Sequence, residues 1–476
     1  MDPQAVAQAK FAEQGFFILT GLPKGSEFGL DGQLWQVKAF SGVKFLPAGL
    51  HFFVFSAAPS STQQDNLPES LSSGVGVRHG ILRFFRKGER VAEEWDNLRE
   101  ELKSSDGPSL SKCRRKVETG GEKQETVISE EYLKTLDKSF APYPEDLSEQ
   151  WWKLSGFITE TTLARVVGLD GHSCGVVDAL TGSSMDEQAA GPDGTAGRRS
   201  WGKVREPEDE PQLQEIVDGE ERDEASDGSA ELLEFVKFDE KRSWPEGATG
   251  EDLTRWSKDK SWQLSEVVRN QLGDEPKELV AELQLSFVLF SLLHNFSSLT
   301  VYKSLFSLIC RAATLARPPT QRPSATTLPS PILSVASLPL FASFLSALSS
   351  QVDFLEPSFF ATQLPALEAH LIESLAVLSH SLSDALPAWL ALAETDKNVA
   401  DVWREVVKRW DALAALTQEK FGWDLGVIRG SRAKYTVARG RAKREEDEID
   451  LEDLEDGEDA PVIVDEDGLY ITSDDY

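Results

Sequence analysis

Cysteine is scarce in this sequence of 476 residues. The three cysteines, Cys113, Cys174 and Cys310, are far apart and form no C-x-x-C pair. They provide no disulfide framework and no cysteine zinc site, so we expect the chain to work in a reducing compartment. The N-terminus also lacks a basic, apolar signal region, which predicts that the chain stays in the cytosol or enters the nucleus.

Evidence for catalytic and cofactor-binding motifs is weak. One G-x-S-x-G string occurs, at residues 171–175, but it follows a predicted helix rather than the strand that a nucleophile elbow requires, and the segment Gly25 to Gly29 carries its serine one place early. Gly74, Gly76 and Gly80 have the wrong spacing for a dinucleotide-binding motif, and there is no Walker-type loop. The six histidines are dispersed rather than clustered as zinc ligands would be: His51, His79, His172, His294, His370 and His380. The sequence therefore predicts no catalytic residue, no metal site and no cofactor.

Basic residues are few, since 49 lysines and arginines stand against 80 acidic residues, for a formal net charge of −31. Most of the excess lies in two segments. Residues 206–231 contain twelve acids and one base, and residues 445–476 contain sixteen acids and no base. The rest of the chain is close to neutral, so we expect the acidity to belong to segments that do not fold alone. Such acidity disfavours non-specific contact with nucleic acid or anionic lipid.

Residues 274–311 contain the candidate for a long hydrophobic run. Its uninterrupted apolar part is too short to span a membrane, which takes about 20 apolar residues. Glu282 and Gln284 interrupt the run. Apolar residues recur there at three- and four-residue steps, and from Leu285 to Leu293 they cover nearly every side of a helix. The segment therefore predicts two consecutive core helices, with a break and a new N-cap at Asn295.

The N-terminal part has the pattern of short β-strands. Asp2 and Pro3 predict a first helix that ends near Glu13, and Phe16 to Leu19 follow as a strand. Further runs rich in aromatic and β-branched residues are separated by Gly and Pro turns; they lie at 35–37, 50–55 and 81–85. We expect an antiparallel β-sandwich or small barrel over roughly residues 15–95.

The region after the sandwich predicts short helices around a polar loop at 104–124. The predicted helices span 95–102, 127–136, 147–154 and 160–167.

The C-terminal half predicts an array of six to eight helices over residues 244–423, with later helices at 338–348, 367–382 and 398–421. We therefore expect a multidomain β plus α chain with four parts. These are an N-terminal antiparallel β-sandwich-like domain with short helices at 1–170, a disordered acidic linker at 183–230, a C-terminal all-α helical domain at 244–425, and a charged flexible tail at 426–476.

Several short motifs stand in a characteristic order along the chain. They are GLPKGSEFGLD at 21–31, GVKFLPAGLHF at 42–52, WDNLREE at 95–101, PYP at 142–144, WPEGAT at 244–249, ELQ at 282–284, FGWD at 421–424 and APVIV at 460–464. In their order and spacing along most of the chain, these motifs resemble the AAR-two (a-one/alpha-two repression) family of splicing factors. Inserted segments at about 183–230, 317–333 and 426–456 depart from it.

The resemblance implies a non-enzymatic assembly factor of the U5 small nuclear ribonucleoprotein, with a β-sandwich domain and a helical domain. Such proteins bind the spliceosomal core protein Prp-eight at its RNase H-like and Jab1/MPN-type regions. They hold a cytoplasmic precursor particle until the U5 helicase replaces them. We therefore expect Prp-eight and the U5 precursor as partners, only indirect contact with nucleic acid, no membrane and no small-molecule substrate. The expected location is cytoplasmic with nuclear access.

A short β-prone run in the acidic tail, Val462, Ile463 and Val464, is a candidate partner-binding site. Carboxylates flank it at 458–459 and 465–467. A lone short strand is unstable in water, but it can add to the open edge of a partner's sheet. Flanking carboxylates disfavour self-pairing and favour a basic partner. Docking on the chain's own β-domain and plain disorder are the alternatives.

Two further features allow more than one interpretation. Residues 429–444 contain seven bases, which suits a nuclear-import or RNA-contact patch, or charge pairing within the tail. Ser183 and Ser184 each have an acid three residues on, the pattern of an acidophilic kinase site, or they are unmodified.

Four tryptophans are candidate interface anchors or core residues: Trp151, Trp152, Trp244 and Trp403. Three function classes follow from all these observations. They are an assembly factor or scaffold, a hydrolase with an unrecognised active site, and a helical adaptor in membrane traffic.

Overall fold

The computed structural model describes residues 10–38, 40–58, 77–96, 101–103, 114–118, 124–128, 130–168, 174–186, 232–318, 337–394 and 396–428. They all lie in the first of two units, Met1–Ser431. The second unit, Arg432–Tyr476, lies outside the described residues.

The strands of the described chain form two five-stranded sheets and a separate hairpin. The strands are β1 Gly15–Thr20, β2 Glu27–Leu30, β3 Gln33–Gln36, β4 Gly42–Leu46, β5 Gly49–Ser56, β6 His79–Phe85, β7 Arg90–Asp96, β8 Glu101–Lys103, β9 Arg114–Glu118, β10 Gln124–Ile128, β11 Phe140–Pro142 and β12 Cys174–Asp178. Sheet A has the order β11-β4-β1-β7-β8, sheet B has the order β12-β6-β5-β2-β3, and β9 pairs with β10. The pairs β1–β7 and β4–β11 are parallel and the others are antiparallel. The predicted antiparallel sandwich is confirmed.

The C-terminal part is helical, as predicted. Its described helices are α4 Gly250–Lys258, α5 Ser261–Gln271, α6 Pro276–Leu292, α7 Phe296–Cys310, α8 Ala313–Ala316, α9 Ser337–Phe354, α10 Phe359–Thr362, α11 Pro365–Ala393 and α12 Lys397–Phe421. Three helices precede them in the N-terminal part: α1 Glu130–Leu136, α2 Glu145–Ser155 and α3 Glu160–Val166. The two predicted core helices are α6 and α7. Asn295 caps α7, because its side chain accepts a hydrogen bond from Ser298 N at 2.8 Å.

Sheet B is covered on both faces, since successive side chains of a strand point to opposite sides. In β5, Phe53 and Phe55 face the interior of the sandwich, where Phe53 stacks on Phe17 of sheet A at 4.0 Å between ring centroids. Phe52 and Val54 belong instead to the hydrophobic core that contains α6 and the later helices. The outer face of sheet B therefore packs directly against the helical array, and the two share one hydrophobic core.

Helix α6 lies at the centre of the helical part and is buried on nearly all sides. Among the described helices, α11 is long and apolar enough to cross a membrane by length and composition alone, a test that core helices of soluble proteins also pass. Its buried face includes Leu375, Leu378 and Leu382, and its Trp389 stacks on Trp403 of α12 at 5.8 Å. These contacts place one side of α11 in the core.

The structure corrects several predictions between the two parts. Of the predicted helix at 95–102, residues 95–96 and 101–102 are described, and they belong to β7 and β8. Trp95 is a buried side chain of β7 packed edge-on against Phe55, and β7 pairs with β1. The predicted loop at 104–124 contains β9 and the start of β10. Sheet B also extends past residue 170, since β12 pairs with β6. Of the predicted first helix, residues 10–13 are described, and they are helical.

Candidate functional site

The turn of the β2–β3 hairpin is the starting point of the candidate site. Asp31 and Gly32 form a two-residue loop and both have positive φ, 50° and 98°, which a type I′ hairpin turn requires. Gly32 lies so close to α9 that an added Cβ would be 2.8 Å from Phe354 Cε2. The tip of the hairpin is thus held against the helical part, while the Asp31 side chain points into the sandwich.

A buried network of polar side chains surrounds Asp31. Its Oδ2 accepts a hydrogen bond from the Tyr143 hydroxyl at 2.9 Å and lies 2.7 Å from His51 Nδ1. Its Oδ1 accepts from Phe52 N at 2.9 Å. The other ring nitrogen of His51, Nε2, lies 2.9 Å from the Pro47 carbonyl oxygen. Both ring nitrogens therefore face oxygen acceptors, an arrangement that only the doubly protonated imidazolium satisfies.

The electrostatics of the network agree with this geometry. Burial alone lowers the pKa of His51, but the charge of Asp31 and the hydrogen bonds to Asp31 and Pro47 outweigh it, so the pKa is raised. Burial and the Asp31 charge raise the pKa of Tyr143. Asp31 and His51 are 1% and 3% exposed, so no substrate reaches them. The network acts as a structural connection rather than an acid–base centre.

An apolar groove lies beside this network, between the edges of the two sheets. One wall is formed by Trp35 and Gln36 of β3 with Val37 and Lys38, and the other by Ala141 and Pro142 of β11 with Pro144. We call this cavity of about 410 Å³ the β3 groove. Its floor contains four apolar side chains: Phe28, Leu30, Phe40 and Val43. Neither Asp31 nor Tyr143 lines the groove, but Tyr143 lies between the lining residues Pro142 and Pro144, so its hydrogen bond connects this segment to the turn of the β2–β3 hairpin.

A second polar cluster joins the N-terminal part to α6. Gln284 of α6 accepts a hydrogen bond from Phe157 N at 2.8 Å and donates one to the Lys153 carbonyl at 3.2 Å. Two residues earlier, Glu282 forms an ion pair with Arg165 of α3 and accepts a hydrogen bond from Val236 N at 2.9 Å. These two side chains therefore tie three separate segments together: the α2–α3 connection, the chain that leads into the helical domain, and the central helix.

The burial of Glu282 is complete, and it sets the energetics of this cluster. Burial raises the pKa of its carboxyl, while Arg165 and the Val236 N–H oppose the rise by stabilising the charged form. Arg165 also lies 3.4 Å from Glu278 Oε2. Glu278 in turn accepts from the Thr162 hydroxyl at 2.8 Å. The cluster is a fixed joint rather than a hinge.

The residues that build these clusters lie within two segments that match known protein families. The profile of the AAR2 N-terminal domain matches residues 13–168, and the profile of the AAR2 C-terminal repeat region matches residues 235–426. The chain belongs to the AAR2 family. Its members are splicing-related assembly factors, and the resemblance noted in the sequence is thereby confirmed.

Individual relatives support the same assignment. The AAR2 homologues of Macaca fascicularis and Homo sapiens are each 28% identical to this chain, over 66% of its length and 73% of theirs. The homologue of Caenorhabditis elegans is 26% identical over 34% of this chain and 38% of its own.

The structure explains three of the AAR2-like motifs. The motif at 21–31 forms the first strand and the turn of the β2–β3 hairpin, and it ends at Asp31. The PYP motif at 142–144 supplies Tyr143 and one wall of the β3 groove. The ELQ motif at 282–284 places Glu282 and Gln284 in the joint with the N-terminal part. Glu282 and Gln284 thereby hold the two AAR2 domains in a fixed arrangement.

The predicted phosphorylation sites lie in an ordered segment, although the predicted linker began at residue 183. Ser183 forms a bridge with Leu233, and its hydroxyl donates to Asp186 Oδ2 at 2.9 Å. The Ser184 hydroxyl donates to the Phe235 carbonyl at 3.2 Å. Both serines are at most 2% exposed, so a kinase would reach them only after this segment opens. Their modification stays a prediction.

The other predicted binding residues have different outcomes. Val462, Ile463 and Val464, and the whole basic run at 429–444, lie outside the described residues. Of the candidate tryptophan anchors, Trp151 and Trp403 are buried in the core, Trp244 is half-buried, and Trp152 is 59% exposed. Within the described ranges, no group of three or more potential ligands from His, Cys, Asp and Glu lies close enough to hold a metal ion.

The sequence interpretation missed the buried polar network around Asp31. Asp31 was recognised only as part of a turn, and His51 only as one of several dispersed histidines. They are 20 residues apart in the chain, and Tyr143 is 112 residues from Asp31. The available signal was the presence of Asp31, His51 and Tyr143 within three separate family-like motifs.

Proposed function

We propose that this protein is a non-enzymatic assembly factor of the U5 small nuclear ribonucleoprotein, which binds Prp-eight and delays the association of the U5 helicase. The observation that supports it is the match of both AAR2 domain profiles, in order, to residues 13–168 and 235–426. The rigid connection between these domains through Glu282 and Gln284 suits a protein that presents a fixed surface to a large partner. The proposed location is cytoplasmic with access to the nucleus.

Direct binding tests this proposal. The purified full-length chain is mixed with the purified C-terminal region of Prp-eight, comprising its RNase H-like and Jab1/MPN-type parts, at low salt. We expect a stable complex by size-exclusion chromatography and calorimetry, and we expect the U5 helicase to compete with it. Absence of a complex would refute the proposal.

We also propose that Val462, Ile463 and Val464 add as a strand to an open sheet edge of Prp-eight, because backbone pairing gives affinity to a short β-prone segment. Val462→Asp with Val464→Asp should weaken this binding at least tenfold and leave thermal unfolding unchanged. Leu451→Asp with Leu454→Asp is the matched control, since it adds the same charge elsewhere in the tail. Equal affinities of the two double variants would contradict the strand-addition mechanism.

A further inference from the structure

The outer edge of β3 is an unusual strand edge. In the described chain, β3 is the last strand of sheet B and pairs only with β2. All four of its residues, from Gln33 to Gln36, are exposed, including Leu34 at 47% and Trp35 at 41%. Natural proteins commonly protect such edges with charged residues or proline. β3 has neither.

The register of the hairpin identifies which backbone groups of β3 are open. Residues that flank a two-residue turn form a hydrogen-bonded pair, and pairs alternate along the strand. Leu30 and Gln33 are that first pair, so Trp35 also bonds towards β2, and the Val37 N–H donates to Ser26 O at 2.9 Å in the same direction. The N–H and C=O groups of Leu34 and Gln36 therefore point away from the sheet.

The other described edges of the two five-stranded sheets do not combine open backbone groups with a lack of charged residues and proline. Edge strand β11 of sheet A ends at Pro142, which has no N–H to donate. β8 carries charged residues at both ends, Glu101 and Lys103. At the other end of sheet B, β12 lies against Val167, since an added Cβ at Gly175 would be 2.8 Å from Val167 Cγ1. An incoming strand finds open backbone groups beside an apolar cavity at β3.

The charge of the β3 groove defines the kind of segment that fits it. Ten of the eleven lining residues are uncharged, and the exception is the exposed Lys38. No carboxylate lines the groove, and within the described ranges Lys38 is in no ion pair. Apolar side chains of an added strand would enter the cavity beside Trp35. A carboxylate at its end would meet Lys38.

We propose that the β3 groove binds an extended segment of a partner protein, which pairs with the outer edge of β3, places apolar side chains beside Trp35 and sets an acidic side chain against Lys38. The groove is present in the unbound chain, and the hydrogen bond between Tyr143 and Asp31 connects the segment that contains Pro142 and Pro144 to the β2–β3 hairpin. Little ordering of the protein is therefore required on binding. This site is independent of the tail residues and of the identity of the partner.

A synthetic peptide tests the site. The probe is the blocked hexapeptide acetyl-Thr-Val-Phe-Val-Glu-Ser-amide, titrated into the full-length chain, with hydrogen exchange and calorimetry as readouts. We expect saturable binding and slower exchange of the Leu34 and Gln36 amides. Absence of saturable binding at about 1 mM peptide, the weak limit of specific association, overturns the proposal. Unchanged exchange of these two amides also overturns it.

Two variants separate strand pairing from other contacts. Leu34→Pro removes one outward N–H and should weaken peptide binding about tenfold, whereas Leu34→Ala keeps that N–H and should change it less than threefold. Lys38→Glu should reverse the preference, so that the peptide with lysine in place of glutamate binds better than the original. If Leu34→Pro does not fold, the exchange and the charge reversal still decide the matter. A lack of charge reversal refutes the role of Lys38 and, with it, the proposed occupant.

Discussion

Removal of Arg165 should destabilise the protein far more than neutralisation of its partner, Glu282. Arg165→Met keeps most of the aliphatic volume but leaves a fully buried carboxylate with one remaining donor, Val236 N at 2.9 Å. Breaking a buried ion pair in this way costs about 3–5 kcal/mol. Since the Arg165 side chain is 28% exposed, we expect the low end, about 3 kcal/mol, in the free energy of unfolding.

Substitution of the other partner, Glu282, leaves the guanidinium of Arg165 without this carboxylate. In Glu282→Gln, the guanidinium of Arg165 keeps access to solvent and to Glu278 Oε2 at 3.4 Å, so the expected cost is only about 1 kcal/mol. In Arg165→Met, the carboxyl of Glu282 has a pKa raised by burial and binds a proton more readily in the folded state. Its deficit should therefore shrink as the pH falls.

Urea unfolding of the full-length chain, followed by tryptophan fluorescence and far-UV circular dichroism, measures both costs. Arg404→Met is the matched control, because Arg404 pairs with Asp401 on the surface and both side chains are at least 66% exposed. We expect no measurable change for this control. If Glu282→Gln is more destabilising than Arg165→Met, the desolvated carboxylate is not the dominant effect and the reasoning fails.

Three further outcomes are expected. Tyr143→Phe removes the hydroxyl that donates to the buried carboxylate of the hairpin turn, so urea unfolding should show a loss of about 1–2 kcal/mol, and an unchanged midpoint would contradict the network. The raised pKa of His51 means that its stabilisation is complete below the unfolded pKa of about 6.5 and is lost as the pH rises through the folded-state value; the stability difference between wild type and His51→Phe should therefore shift against the wild type across that window, and parallel pH profiles would refute this. Replacement of residues 187–231 by a short Gly-Ser linker should leave the melting temperature unchanged, because Ser184 N donates to Leu233 O at 3.0 Å and holds the two ends together; a drop of about 5 °C or more would show otherwise.

Local patterns predicted the elements whose periodicity agrees with their packing. The apolar residues of α6 recur at helical spacing, and the α7 cap at Asn295 is a side-chain-to-backbone contact between near neighbours. The strand at Phe16 to Leu19 and the Asp31–Gly32 turn follow from the same short-range rules. In each case, the energetic reason for the structure lies within a few residues of the chain.

The failures arose where distant residues decide the conformation. Residues 95–102 have good helical propensity, but the burial of Trp95 against Phe55 and His79 and the pairing of β7 with β1 outweigh it. The buried polar network escaped prediction because the fold alone brings Asp31 and Tyr143 together. Propensity carries no information about such pairs.

Coverage of sheet B on both faces has a consequence for work with fragments. A piece that ends after the sandwich would expose Phe52 and Val54 of β5 and Leu82 of β6, which are at most 4% exposed in the intact chain. Exposed apolar patches of this kind cause aggregation. Expression of either family domain by itself should yield insoluble protein, and deletion mapping of interactions would then mistake misfolding for lost contact.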